Sequence, residues 1–165
     1  MLKEAIPAEN DANATVGARS RWQPKIHFVW DLILDVYFAD AAESRLAAFP
    51  DFYRVVVDDT LFAASSSHDR KSWGFQVFER ALARASDDDK PMLFTPNFMR
   101  TLINQLGNRE RLLHRAAVKA THTIQEVVKH HPHLGFVLVT QLIGKNGHPN
   151  FDSITKTKTV EQVLA

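Results

Sequence analysis

Apolar segments with helical start and stop signals recur along the chain at nearly constant intervals. The first, third and fifth segments begin near positions 24, 68 and 109, which gives intervals of 44 and 41 residues. HEAT and armadillo repeats have periods of about 40–47 residues and contain two or three helices each. The spacing predicts an all-α fold, a HEAT- or armadillo-like α-solenoid segment of about three helix pairs. A compact helical bundle is the alternative.

Prolines, glycines and capping residues mark the ends of these segments. Pro24 suits the first turn of the first helix, and Thr95 is the expected cap of the fourth. Gly107 closes the fourth helix, and the fifth is expected from about Asn108 to His130. The remaining predicted helices lie in "DFYRVVVDDTLFAA", in the serine-capped "SSSHDRKSWGFQVFERALARA", in "HLGFVLVTQLIG" and near "TVEQVLA".

Composition separates a tail from the helical region and excludes several kinds of site. Residues 1–21 contain almost no large apolar side chain, which predicts a flexible tail or loop, and residues 22–165 hold the helical repeats. The chain has no cysteine, so it cannot form a disulfide or a thiolate zinc site. No apolar run approaches the ~18 residues of a membrane span.

Histidines and paired carboxylates are the residues that invite a catalytic or metal hypothesis. His130 and His131 are adjacent, so on a helix they point about 100° apart and do not converge on one ion. Asp58 and Asp59 diverge for the same reason, and we interpret them as a solvated face or a helix cap. Asp31 shares a face with Asp35, which favours structural ion pairs. We therefore predict no catalytic residue, no metal site and no cofactor.

A row of cations along the fifth predicted helix is the candidate binding site. On a helical wheel the cations fall opposite the apolar side chains, which predicts that they are exposed. A solvated helix face is the alternative reading. The bias toward one sign of charge favours binding, because exposed helices usually mix both signs. The residues proposed to bind RNA or a partner are Arg111, Arg115, Lys119, His122 and Lys129.

Two stretches carry a family resemblance. "DRKSWGFQVFERAL" and "LFTPNFMRTLINQLGNRERLLHRAA" resemble the DNA polymerase phi family, also called the Myb-binding protein 1A family. The likeness extends over residues 30–150, and these two stretches are its most specific part. Members of that family are several times longer than this chain. The resemblance therefore implies that residues 22–165 are a helical-repeat segment of a larger solenoid.

The resemblance implies a protein of the nucleus, and within it the nucleolus, that acts in ribosomal RNA synthesis and large-subunit assembly. The implied partners are proteins of the pre-ribosomal particle, with ribosomal RNA or rDNA chromatin, and neither a membrane nor a small-molecule substrate. A polymerase would need carboxylates holding two metal ions about 4 Å apart, which this segment does not offer. A non-enzymatic scaffold is the leading hypothesis. A purely structural solenoid segment and a transcription-regulator interaction module are the alternatives.

Overall fold

The computed structural model describes residues 25–39 and 48–165, and this part of the chain is helical without a strand. The all-α prediction is confirmed for these residues. The helix Phe49–Phe52 continues directly as a π-helix, Tyr53–Leu61, and short 3-10 helices, Lys90–Leu93 and Pro132–Leu134, precede the α-helices that begin at Pro96 and Gly135. The α-helices are α1 (Val29–Phe38), α2 (Phe49–Phe52), α3 (His68–Arg84), α4 (Pro96–Leu106), α5 (His114–His130), α6 (Gly135–Ile143), α7 (Phe151–Thr155) and α8 (Thr159–Leu164).

The contacts between helices form two rows. In one row α1 contacts α3, α3 contacts α5 along much of its length, and α5 contacts α8. In the other row the π-helix contacts α4, and α4 contacts α7. The π-helix also packs on α3, and α4 packs on α5, so the two rows share one core.

Five buried phenylalanine rings contact one another at the centre of that core: Phe62, Phe75, Phe78, Phe94 and Phe98. Phe78 and Phe98 stack with their ring centroids 4.1 Å apart, and neither side chain is exposed. Gly74 on α3 makes room for Phe62, because a Cβ atom at Gly74 would lie 2.6 Å from the Phe62 Cζ atom. A glycine in a helix costs about 1 kcal/mol of propensity relative to alanine, and here the space it leaves is filled by an aromatic ring.

The start of α4 is capped from another helix. The predicted boundaries are confirmed, since α4 begins at Pro96 and ends before Gly107. Thr95, however, makes no side-chain cap of its own and donates its hydroxyl to Asp58 of the π-helix. The Asp58 carboxylate accepts the Phe98 N–H at 2.9 Å. The cap interpretation is thus correct for the buried Asp58, whereas Asp59 is exposed and faces Arg54.

Two predicted helix starts are wrong. α1 begins at Val29 rather than near position 24, and the Val29 N–H donates to the His27 ring at 3.1 Å. α5 begins at His114 rather than near Asn108. The Asn108 side chain accepts the Glu110 N–H at 2.9 Å, which stabilises a turn in place of the expected helical start.

Residues 1–24 and 40–47 lie outside the described part of the chain. The predicted tail at residues 1–21 and the role given to Pro24 therefore fall outside it. No helix in residues 25–39 or 48–165 combines the length and the apolar character that crossing a lipid bilayer requires.

Candidate nucleic-acid and partner interface

The outward face of α5 carries four of the five predicted binding residues. Arg115, Lys119, His122 and Lys129 are exposed. The opposite face, including Ala117, Ala120, Ile124 and Val128, is buried against the core. The exposure predicted from the helical wheel is therefore correct. At 1.5 Å per residue, the four side chains span about 21 Å along the helix axis.

Arg111, the fifth predicted residue, is exposed but lies before the helix. Its backbone N–H donates to the Asn108 carbonyl at 3.2 Å within the turn that links α4 to α5. The Leu113 N–H donates to the Gln105 side chain at 3.2 Å, which fixes the turn to α4. Arg111 therefore extends the basic surface beyond the α5 N-terminus instead of continuing the row on the same helix.

Carboxylates accompany this basic surface. Lys119 Nζ lies 3.7 Å from an oxygen of Glu79 on α3, and Lys129 Nζ lies 3.8 Å from Glu126 on α5. Burial raises the pKa of Glu79, and the Lys119 ammonium opposes that rise. Both lysine side chains remain largely exposed despite these contacts. The outward face is thus mixed in charge where Glu79 and Glu126 approach it.

A cleft of about 420 Å³ opens beside the outward face, between α5, the end of α3 and the connection to α4. The sequence did not reveal it, because its walls come from segments about 40 residues apart. Lys90 in particular follows an acidic run and gives no sign in the sequence of being buried. Polar side chains that line the cleft include Lys90, Lys119, His122, Glu126, His130 and His131.

The carboxylates of α1 have a structural role. Asp31 accepts a hydrogen bond from Arg80 at 2.8 Å, and Asp35 pairs with Arg84 at 2.6 Å. Both arginines lie on α3, so the predicted structural ion pairs are confirmed and join α1 to the core. Across residues 25–39 and 48–165, no three His, Asp or Glu side chains are grouped as metal ligands would be.

Sequence comparisons identify the protein family that this chain matches. The sequence pattern of the DNA polymerase phi family matches residues 1–165. The rDNA transcriptional regulator pol5 of Schizosaccharomyces pombe is 42% identical over 159 residues, which is 96% of this chain and 16% of the relative. The rDNA transcriptional regulator POL5 of Saccharomyces cerevisiae is 27% identical over 165 residues, with 88% of this chain and 16% of the relative covered.

The chain spans about one sixth of the length of these two relatives. No solved structure matches the chain.

Proposed function

The chain belongs to the DNA polymerase phi family, and from that premise we propose that it is a non-enzymatic scaffold segment acting in rDNA transcription. The observation that carries the proposal is the 42% identity to a protein named as an rDNA transcriptional regulator, over 96% of this chain. The proposed role extends to ribosomal RNA synthesis and large-subunit biogenesis. The proposed location is the nucleus, and within it the nucleolus.

The non-enzymatic part of the proposal rests on how the carboxylates are used. The family name mentions a DNA polymerase, whereas both relatives are named as regulators. Polymerase chemistry requires carboxylates aimed together at two metal ions. Here Asp31 and Asp35 pair with arginines, and Asp58 binds the N-terminus of α4. These groups stabilise helix packing, which supports a scaffold.

We propose that residues 22–165 form a helical-repeat segment of a larger solenoid. Two rows of helices that each contact the next helix in the same row are the arrangement of stacked repeats. Large apolar side chains are exposed on α6, where Phe136 is 75% exposed, and on α1, where Leu32 is 53% exposed. Further helices packed on α1 and α6 would cover these side chains. The relatives are about six times as long as this chain, so they contain enough additional residues to form such helices.

The proposed contact surface is the outward face of α5 with Arg111 beside it. Its proposed ligands are ribosomal RNA or rDNA chromatin and proteins of the pre-ribosomal particle. Lysine and arginine side chains on an exposed helix face reach phosphate oxygens without reading base identity. The row of about 21 Å matches several phosphates of an extended nucleic-acid strand.

A segment exchange in S. pombe tests the proposed function. The 159 matched residues of pol5 are replaced by this chain, and ribosomal RNA synthesis is measured by pulse labelling. We expect the exchanged protein to support synthesis close to the native rate, and deletion of the segment to lower it. Undiminished synthesis after the deletion would contradict the proposed role.

Two variants of the exchanged protein separate a scaffold from a purely structural segment. Replacing Arg111, Arg115 and Lys119 by alanine changes the surface while the core stays intact, and Phe78→Ala disrupts the core. A scaffold that binds through α5 requires both variants to lower ribosomal RNA synthesis. A purely structural segment requires only the Phe78 variant to do so.

A further inference from the structure

A buried cation is among the residues that line the cleft beside α5. Lys90 is only 5% exposed, and its ammonium group donates to the Ala85 carbonyl at the end of α3. Most of the other residues that line the cleft lie on α5, from Lys119 to His130, and at His131 immediately after it. A volume of about 420 Å³ lies within the range of sites that take small ligands or a few side chains.

The Lys90 ammonium makes one hydrogen bond within the described residues, to the Ala85 carbonyl. It also forms an ion pair with Asp87, but the nearest Asp87 oxygen is 3.7 Å from Lys90 Nζ, which is too far for a hydrogen bond. The other oxygen of Asp87 is 2.7 Å from the His133 ring, so this carboxylate is shared. An ammonium group has three donors, and a buried charge is costly unless it is paired and hydrogen-bonded. An anionic group that enters the cleft would supply the missing acceptor.

The rim of the cleft selects the kind of anion. Lys119 and His122 stand on one wall and offer further donors, while Val127 and Ala83 supply apolar surface. Glu126 also lines the cleft, and its carboxylate oxygens lie 3.8 Å from Lys129 Nζ and 3.8 Å from the His130 ring. A single carboxylate on a short aliphatic stem fits this combination, because its stem contacts the apolar wall and its oxygens reach Lys90.

We propose that the cleft binds a glutamate or aspartate side chain of an acidic peptide segment on a protein partner. This inference deepens the scaffold function proposed above and rests on it only for the partner being a protein. The acidic peptide occupies the cleft, whereas the nucleic acid occupies the outward face of α5. Lys119 and His122 border both surfaces, and Lys90 belongs to the cleft alone.

Binding of a labelled hexaglutamate peptide to the 165-residue chain tests the proposal by fluorescence anisotropy at constant salt. Hexaglutamine is the uncharged comparison peptide, and we expect it to bind at least tenfold more weakly. Lys90→Met removes the buried ammonium and should weaken hexaglutamate binding at least tenfold. Thr123→Glu places a competing carboxylate in the cleft from an α5 position, leaves Lys90 unchanged, and should have a similar effect.

Lys145→Ser is the matched control, since it removes one exposed cation that lies outside both the cleft and the α5 contact surface, and it should change the affinity for hexaglutamate less than twofold. Circular dichroism of each variant establishes that it is folded, and Thr123→Glu decides the matter if Lys90→Met does not fold. Hexaglutamate binding that is absent, or equally weakened by Lys145→Ser, overturns the proposal. A ribosomal RNA fragment that loses affinity in both cleft variants would show a phosphate site instead and would also overturn it. None of these results depends on the segment exchange in yeast.

Discussion

The Asp58 carboxylate that caps α4 and the cations on the outward face of α5 contrast in burial and in the partners they have. Asp58 is 3% exposed, and its carboxylate accepts hydrogen bonds from the Thr95 hydroxyl and the Phe98 N–H. Lys119 and Lys129 are more than two-thirds exposed, and their nearest carboxylate oxygens lie at 3.7 and 3.8 Å. One group of charges is fixed by short buried hydrogen bonds, and the other is held loosely in water.

The contrast shows how to separate charges that stabilise the fold from charges that are available to a ligand. A buried carboxylate with short hydrogen bonds is costly to remove, because its donors would stay buried without an acceptor. Exposed ion pairs contribute little to stability and are screened by salt. Substitutions at the first kind of site should change unfolding, whereas substitutions at the second should change binding.

The largest expected effect lies in the aromatic core next to Asp58. Phe78 is fully buried and stacks on Phe98, so Phe78→Ala should lower the free energy of unfolding by about 3–5 kcal/mol. Urea denaturation followed by circular dichroism measures this change. A midpoint equal to that of the unsubstituted chain would show that the core lies elsewhere.

Removal of the Asp58 cap should have the next largest effect. Asp58→Ala leaves the buried donors of α4 without an acceptor, which should cost about 1–3 kcal/mol of unfolding free energy. Asp59→Ala is the matched control, because its exposed carboxylate contacts only Arg54, at 3.7 Å, among the described residues. If urea denaturation shows that both substitutions lower the free energy of unfolding equally, the buried Asp58 is no more important for stability than the exposed Asp59, and the account is wrong at this point.

Breaking an ion pair between α1 and α3 should destabilise the fold less than removing the Asp58 cap and more than replacing an exposed lysine of α5. The side chains of Arg80 and Asp31 are 35% and 49% exposed, so breaking the pair with Asp31→Asn should cost about 0.2–1 kcal/mol. The loss should shrink as salt is added, since water and ions reach both groups. A cost above that of Asp58→Ala would reverse the proposed order of the sites.

Lys119 affects the stability of the fold slightly, through its ion pair with Glu79. Burial raises the pKa of Glu79 above the ordinary value of a glutamate, so the folded chain holds this proton more tightly than the unfolded chain does. Stability from this group is therefore present at low pH and is lost as pH rises through the folded pKa. Lys119→Ser removes the opposing ammonium and should raise the pKa of Glu79 further. Carboxyl NMR titration measures the pKa, and a fall would contradict the assigned pairing.

Local signals in the sequence correctly predicted that the elements are helical and where several of the helices begin or end. Pro96 and Gly107 mark the ends of α4 because each acts through its own backbone, independently of the rest of the fold. The start of α5 was placed too early, because the Asn108 side chain and Gln105 hold the chain in a turn. The periodic apolar pattern could not report those side-chain hydrogen bonds.

Long-range contacts account for the features of the surface that sequence reasoning missed. The exposure of the α5 cations followed from the helical wheel, but the contact between Lys119 and Glu79 joins helices 40 residues apart in sequence. Asp58 similarly caps a helix that begins 38 residues later. The cleft containing Lys90 needs three segments to meet, so no single stretch of sequence predicts it.

The central claim is that the outward face of α5 and Arg111 bind nucleic acid while contributing little to folding. Its most direct test is the salt dependence of binding to a single-stranded ribosomal RNA fragment at three salt concentrations. Alanine at Arg111, Arg115 and Lys119 should lower the magnitude of the log–log salt slope by about 0.7 per lost phosphate contact, up to about 2 in total. Alanine at Lys25, Lys145 and Lys158, which makes the same change in charge elsewhere, should leave the slope unchanged. Equal slopes and affinities for the α5 variant and the unsubstituted chain would contradict the claim and leave these cations as a solvated helix face.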